Sequence, residues 1–250
     1  MSFPLFMFLC FYIHYCLSRW KNCPKAWQGS YKGNKGTAVV LEAVCSHDLW
    51  IWHYHFGVPG ACNDVNVLQR SHLLDSFING TAPRVEYCLN GKRCCRPYWF
   101  TDGIYPDFIC FLKSVADPVG EKLCHYCAVQ EACRKDIERC FGVLHARFHI
   151  VKNPARSWTQ EKLDNIMAAC IIIHNMVVEE ERGDYSLLSN VNFMNRTACP
   201  ITIERVDPTD VNEDFYFNTI NNLNQLQDRE QHLALRNDLI EHLWTLKGNS

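Results

Sequence analysis

Two short runs rich in β-branched and aromatic residues stand close together in the first quarter of the chain: TAVVLEAV over residues 37–44 and LWIWHYHF over 49–56. Asn34 and Gly36 bound the first, and Gly57, Pro59 and Gly60 end the second, so the pattern predicts two neighbouring strands. Residues 63–74 then show helical periodicity, with Val67, Leu68 and Leu74 apolar and Asn63 placed as a cap. A third apolar run, Tyr98, Trp99 and Phe100, leads to Asp102 and is broken by Gly103 and Pro106. Beyond Asp117, Pro118 and Gly120, the residues Ile137, Phe141, Leu144 and Phe148 recur at i, i+4, i+7 and i+11, which is the stripe of a long amphipathic helix. Residues 149–151 are expected to form a last strand. A further helix is predicted over 159–181, with Leu163, Ile166, Met167, Cys170, Ile171 and His174 facing inward, started by Ser157 or Thr159 and stopped at Gly183.

Adjacent strands followed by a strand, helices and a strand describe an α/β core with a mixed sheet flanked by helices. From 184 to 222 the composition turns to Asn, Asp, Thr and Pro with little periodicity, as in a linker or poorly ordered segment. A final amphipathic helix is expected over 223–246, with Leu226, Leu233, Ile240 and Leu243 apolar, free to dock back on the core or to pair with a partner. The chain is thus divided into an atypical apolar start (1–19), a main domain (20–183), a linker (184–222) and a C-terminal helical tail (223–250). It holds no internal repeat.

The first seventeen residues, MSFPLFMFLCFYIHYCL, are apolar but lack a positive n-region and a small-x-small cleavage signal. They are also shorter than the ~20 residues that span a bilayer. A buried strand at the start of a domain, or a non-native beginning to a truncated gene product, is preferred over a signal peptide, and no membrane association is expected. The net charge of −2 excludes a uniformly basic nucleic-acid coat, so contact with DNA would rest on local patches. Two such patches are present: Arg19, Lys21, Lys25, Lys32 and Lys35, and Arg134, Lys135, Arg139, Arg147, Lys152 and Arg156. Fifteen cysteines, an odd number in a long chain, point to reduced thiols rather than a disulfide framework. Cys124, Cys127, His145 and His149 spell C-x2-C and H-x3-H, ligand types that zinc accepts, although one helix rather than a hairpin fills the gap.

The pair that best suits catalysis is Asp102, at the end of the third strand, and Glu138, at the edge of the helical stripe, with thirty-five residues between them. Two carboxylates converging on a strand end suit divalent cations and phosphodiester chemistry. The plainer alternatives are turn chemistry for an Asp before Gly and i,i+4 pairing of Glu138 with Arg134.

The longer words around these residues carry a resemblance. WKNCPKAWQGSYKG (20–33), VVLEAVCSHDLWIWHYHFGVPGACNDVNVLQRS (39–71), YWFTDGIYPDF (98–108), RKDIERCFGVLHARFHIV (134–151) and IMAACIIIHNMVVEEER (166–182) resemble, in unbroken order, the plant-type branch of the PIF/Harbinger transposases. The resemblance implies an RNase H-like DDE catalytic core, with Mg²⁺ or Mn²⁺ held by three carboxylates for DNA cleavage and strand transfer. Asp102 matches the second catalytic Asp and Glu138 the Glu, and Asp64 matches a recurrent family acid that suits metal binding or helix capping. The first Asp is missing. Reading back without gaps from Trp20 puts His14 in its place, and Pro97 stands where the family more often has a Gly and aromatic residues. The helical region that precedes the family's core has no counterpart either. The resemblance therefore implies a truncated, nuclear, transposon-derived protein with an impaired active site, acting on DNA beside a Myb-like DNA-binding partner and as a possible homo-oligomer. The alternative is a non-catalytic DNA- or protein-binding descendant of a transposase.

Overall fold

A computed structural model describes residues 10–33, 36–79, 84–94, 97–188, 202–204 and 215–248. The strands are β1 (Cys10–Arg19), β2 (Lys32–Gly33), β3 (Gly36–Cys45), β4 (Ile51–Pro59), β5 (Arg84–Leu89), β6 (Lys92–Cys94), β7 (Tyr98–Thr101), β8 (Phe111–Lys113) and β9 (Thr202–Glu204). The helices are α1 (Asp64–Leu68), α2 (Asp75–Ile78), α3 (Glu121–Arg147), α4 (His149–Lys152), α5 (Gln160–Leu188), α6 (Phe215–Leu226) and α7 (Arg229–Gly248). The class is mixed α/β, as the pattern predicts. The chain falls into two units, one made of 1–10, 72–134 and 197–250, the other of 11–71 and 135–196.

In the second unit β3 is the central strand. Its residues 38–45 are all buried, which is why the segment reads as a continuous apolar run instead of an alternating one. Antiparallel pairing joins β3 to β1, from Tyr12↔Cys45 to Arg19↔Ala38. On its other side β3 pairs with β4, with register shifts at Val40/Leu41 and Val44/Cys45. The apolar start is therefore a strand over residues 10–19, and residues 1–9 lie outside the described set. Helix α5 packs on β4 and buries Leu163, Met167, Cys170, Ile171 and His174. Asn175 on that helix donates to the Ile51 carbonyl at 2.8 Å and accepts from the Ile51 N–H at 2.9 Å. Trp20 is fully buried, gives its indole N–H to the Ser157 carbonyl at 2.7 Å and meets Trp27 and Tyr31 edge-on.

Three local expectations need correction in this unit. The segment 149–151 is not a strand but part of α4, because Phe148 holds the extended cap conformation and the next four residues close a turn. The helix expected over 63–74 stops at Leu68. Helix α5 does not stop at Gly183 and continues to Leu188. A glycine inside a helix costs only about 1 kcal/mol relative to Ala, which the rest of a long helix offsets.

In the first unit β7 runs parallel to β8, with Trp99↔Phe111 and Thr101↔Lys113 in register. A separate three-stranded sheet has the order β6-β5-β9. The tail expected as a single helix is two: Asp228 separates α6 from α7 and caps the latter, its carboxylate accepting from the N–H groups of Glu230 and Gln231 at 3.0 Å. Leu226, Leu239, Ile240 and Leu243 are buried, and so is His232, which bonds the Phe108 carbonyl at 2.8 Å. Within the segment expected as linker, β9 pairs with β5 and α6 packs on α2. Among the described residues, no helix is long and apolar enough to cross a membrane.

Candidate active site

Tyr98, Trp99, Phe100 and Thr101 are all buried in β7, so the backbone emerges from the core at residue 102. Asp102 is the first exposed residue after the strand, its side chain 54% accessible. Its Oδ1 accepts from the Gly103 N–H at 2.8 Å, and its carbonyl accepts from the Tyr105 N–H at 3.3 Å, so Asp102 also makes the turn. The N-terminal half of α3 is fixed against this strand end by two side chains. Gln130 donates its amide to the carbonyls of Leu112 (2.9 Å) and Thr101 (3.4 Å), and Tyr126 donates its hydroxyl to the Lys113 carbonyl (3.0 Å).

A cavity of about 30 Å³ opens between these elements, lined by Phe100, Thr101, Asp102, Ser114, Gln130, Glu131 and Arg134. It has room for a water or a small ion but not for a nucleotide. Two of its lining residues, Thr101 and Gln130, carry a buried oxygen, Oγ1 and Oε1, with no hydrogen-bond partner among the described residues. The lining also holds the Asp102 and Glu131 carboxylates, oxygens of the kind that hard divalent cations take, and the Arg134 guanidinium, whose Nε is likewise buried without a hydrogen-bond partner among the described residues. The charge is partly met already, because Arg134 places NH1 3.5 Å from Asp102 Oδ2 and Nε 3.4 Å from Glu131 Oε2. Nearby, Lys113 hydrogen-bonds the Asp107 carboxylate and lowers its pKa below the usual carboxylate range.

Glu138 belongs to the second unit, on the C-terminal half of α3. It is exposed and makes no hydrogen bond or ion pair with any described residue. The acid two residues earlier is engaged instead. Asp136 is buried, lies 2.7 Å from His47 Nδ1 and 3.1 Å from Arg139 NH2, and Arg139 in turn donates to the His47 carbonyl at 2.7 Å. Asp64 stands half-buried in the first turn of α1, and the cap of that helix is Asn63, whose side chain accepts from the Asn66 N–H at 2.9 Å. The His14 backbone pairs with Ala43 in the β1–β3 ladder. Among the described residues, no group of three or more His, Cys, Asp or Glu is gathered so as to hold a metal ion.

The C-x2-C and H-x3-H residues do not form such a group. Cys124 and Cys127 give their thiols to the carbonyls of Pro118 and Val115. Cys127 and His145 share one unbroken helix, where eighteen positions at 1.5 Å each amount to about 27 Å. Sequence reasoning missed Gln130 and Asp136, and it gave Arg134 to a basic patch or to pairing with Glu138, whereas Arg134 pairs with Asp102 and Glu131. Only the buried face of the α3 stripe, on which Gln130 and Ile137 fall seven positions apart, carried a signal for them.

The family model described as plant transposon protein matches residues 3–185, a span that holds Asp64, Asp102 and Glu138. No curated protein and no solved structure matches the chain.

Proposed function

Because this chain belongs to the plant transposon protein family, we propose that it is a DNA-acting domain of PIF/Harbinger DDE descent, a metal-dependent nuclease or transposase whose active site is impaired. The observation that carries this reading is Asp102: a solvent-facing carboxylate at the end of a buried strand, beside a cavity lined with unpartnered oxygens. Asp102 would hold Mg²⁺ or Mn²⁺, with Glu138 and Asp64 the further carboxylates assigned by the family resemblance. When bound, such an ion supplies Lewis-acid activation of a water or 3′-hydroxyl and stabilisation of the leaving oxygen. The chain's own part is to aim the Asp102 carboxylate through the Gly103 N–H and to hold α3 on the strand end through Gln130 and Tyr126. The missing first Asp, with His14 at its ungapped position, supports impairment. The setting in which such a protein works is the nucleus, on DNA, beside a Myb-like DNA-binding partner.

The test is Mn²⁺-dependent nicking of supercoiled plasmid by the purified chain. The reading expects weak cleavage that disappears in Asp102→Ala and in Glu138→Ala. Cleavage unchanged in both variants, or none from the unsubstituted chain, removes the nuclease reading.

A second reading, binding to DNA without cleavage, is supported by Arg134 at Asp102 and by the exposed Lys21, Lys25 and Lys32. Phosphate contacts release counterions, so affinity should fall steeply with salt, and each lysine replaced should reduce the log–log slope by about one. Affinity that stays flat across salt concentrations argues against that contact mode.

A further inference from the structure

Helix α5 is buried on one side, yet its opposite side is not the charged surface expected of a solvated helix. Ile172, Ile173 and Met176 are 59%, 48% and 62% exposed, and Ala169 is exposed beside them. Three large apolar side chains at i, i+1 and i+4 form one continuous patch. Extended along the helix, the same face passes through Lys162, in the first turn, and Glu180, toward the other end. Neither of these charges forms an ion pair with a described residue, whereas the neighbouring Glu181 is taken by Arg147 at 2.7 Å. A lysine in the first turn also opposes the helix dipole, so the helix by itself gains nothing from this placement.

The order along the stripe is basic, small, apolar, apolar, apolar, acidic, and that order is complementary to itself when reversed, the basic end meeting the acidic and the small residue meeting the third apolar one. We propose that this face binds a second copy of the chain, with the two α5 helices antiparallel about a twofold axis between Ile172 and Ile173. In this arrangement the two isoleucines of one copy meet those of the other, Met176 lies over the small Ala169, and Lys162 comes within about one helical turn of Glu180. A parallel copy would instead set Lys162 against Lys162, so charge selects the antiparallel dimer. Three exposed apolar side chains supply only part of the ~800 Å² per partner of a standard interface, so the dimer is a reversible one with micromolar affinity. The inference does not depend on nuclease activity, because none of these residues lines the Asp102 cavity.

The experiment is sedimentation velocity of the full chain across about two decades of concentration around 10 μM. The weight-average mass should rise from the monomer value of 29.1 kDa toward twice that. Ile172→Glu should hold the mass at the monomer value throughout, with its circular dichroism unchanged because the position is exposed. Lys162→Glu alone should weaken association at least fivefold, and adding Glu180→Lys should restore it, since the double reversal rebuilds the complementary order. A mass that stays monomeric at every concentration overturns the proposal. So does a dimer indifferent to Ile172→Glu, or a double reversal that fails to recover what Lys162→Glu lost.

Discussion

Removing the Ser71 hydroxyl should expose how the central strand tolerates a charge. Glu42 lies on β3 with no accessible surface, its Oε1 accepting from Ser71 Oγ at 2.7 Å and standing 3.6 Å from His53 Nε2. Ser71 Oγ is itself 3.1 Å from His53 Nε2, so the hydroxyl donates to the carboxylate and accepts from the ring N–H. The other carboxylate oxygen, Oε2, has no hydrogen-bond partner among the described residues. A hydrogen bond to a buried charged group contributes ~1.5–3 kcal/mol, whereas the bond from the part-exposed His53 is largely replaced by water, so Ser71→Ala should destabilise by about 2–3 kcal/mol. Glu42→Gln keeps an acceptor for Ser71 and removes the charge, and the expected change is within about 1 kcal/mol of zero. In the Glu42→Gln background the same serine substitution breaks only a neutral bond of ~0.5–1.5 kcal/mol, so the double-mutant cycle should show a coupling of about 1 kcal/mol. Urea unfolding followed by tryptophan fluorescence and far-UV dichroism measures all four proteins, with stability taken from the shift in midpoint at constant m. Strict additivity, or a loss below about 0.5 kcal/mol for Ser71→Ala, would show that the carboxylate does not depend on the hydroxyl.

Three further outcomes follow from the geometry. Arg134→Met should free Asp102 for cations and raise Mn²⁺ affinity by up to about fivefold, the equivalent of an exposed ion pair worth at most ~1 kcal/mol. A spin-resonance titration unchanged by Arg134→Met, or binding that survives Asp102→Ala, contradicts this. Asp107 has its folded pKa lowered by Lys113, so its contribution to stability is complete above the unfolded value of about 3.9 and is lost as pH falls through the lower folded value. Asp107→Asn should therefore flatten the acid limb of the stability–pH profile below about pH 4, and an unaltered limb counts against the pair. Gly57 has φ of 116°, and a Cβ there would come within 2.2 Å of Gln160 Nε2, so Gly57→Ala should cost at least about 2 kcal/mol, only partly recovered by adding Gln160→Ala.

What the sequence revealed and what it hid differ in range. Strands β3 and β4 and helices α3 and α5 were legible because their signals are local: Gly36 and Pro59 stand at strand ends, and Ile137, Phe141 and Leu144 repeat with the helical period. Asp102 was legible for the same reason, as the first acid after a buried aromatic run. Pairing across long separations left no such mark. Thr202–Glu204 carries the polar composition of a linker, yet it pairs with β5 more than a hundred positions earlier. The buried acids Glu42 and Asp136 look like surface residues until Ser71 and His47 are brought to them, and His174, legible as inward-facing, gave no sign that the Leu49 carbonyl is its partner. The break at Asp228 was missed because the apolar spacing continues across it, and only the cap geometry separates the two helices.

Asn175 has one consequence beyond the stability of its two hydrogen bonds. Strand β4 pairs only with β3 among the described strands, so its outer backbone groups are those that another polypeptide could capture. At Ile51 the carboxamide of Asn175 offers a donor and an acceptor to the N–H and C=O of one residue, as the next strand of a sheet would do. The helix thus counterfeits a neighbouring strand with a single side chain, and the sheet is terminated there. An Asn175→Ala protein would be expected to lose solubility sooner than fold, because an uncovered edge recruits partners indiscriminately.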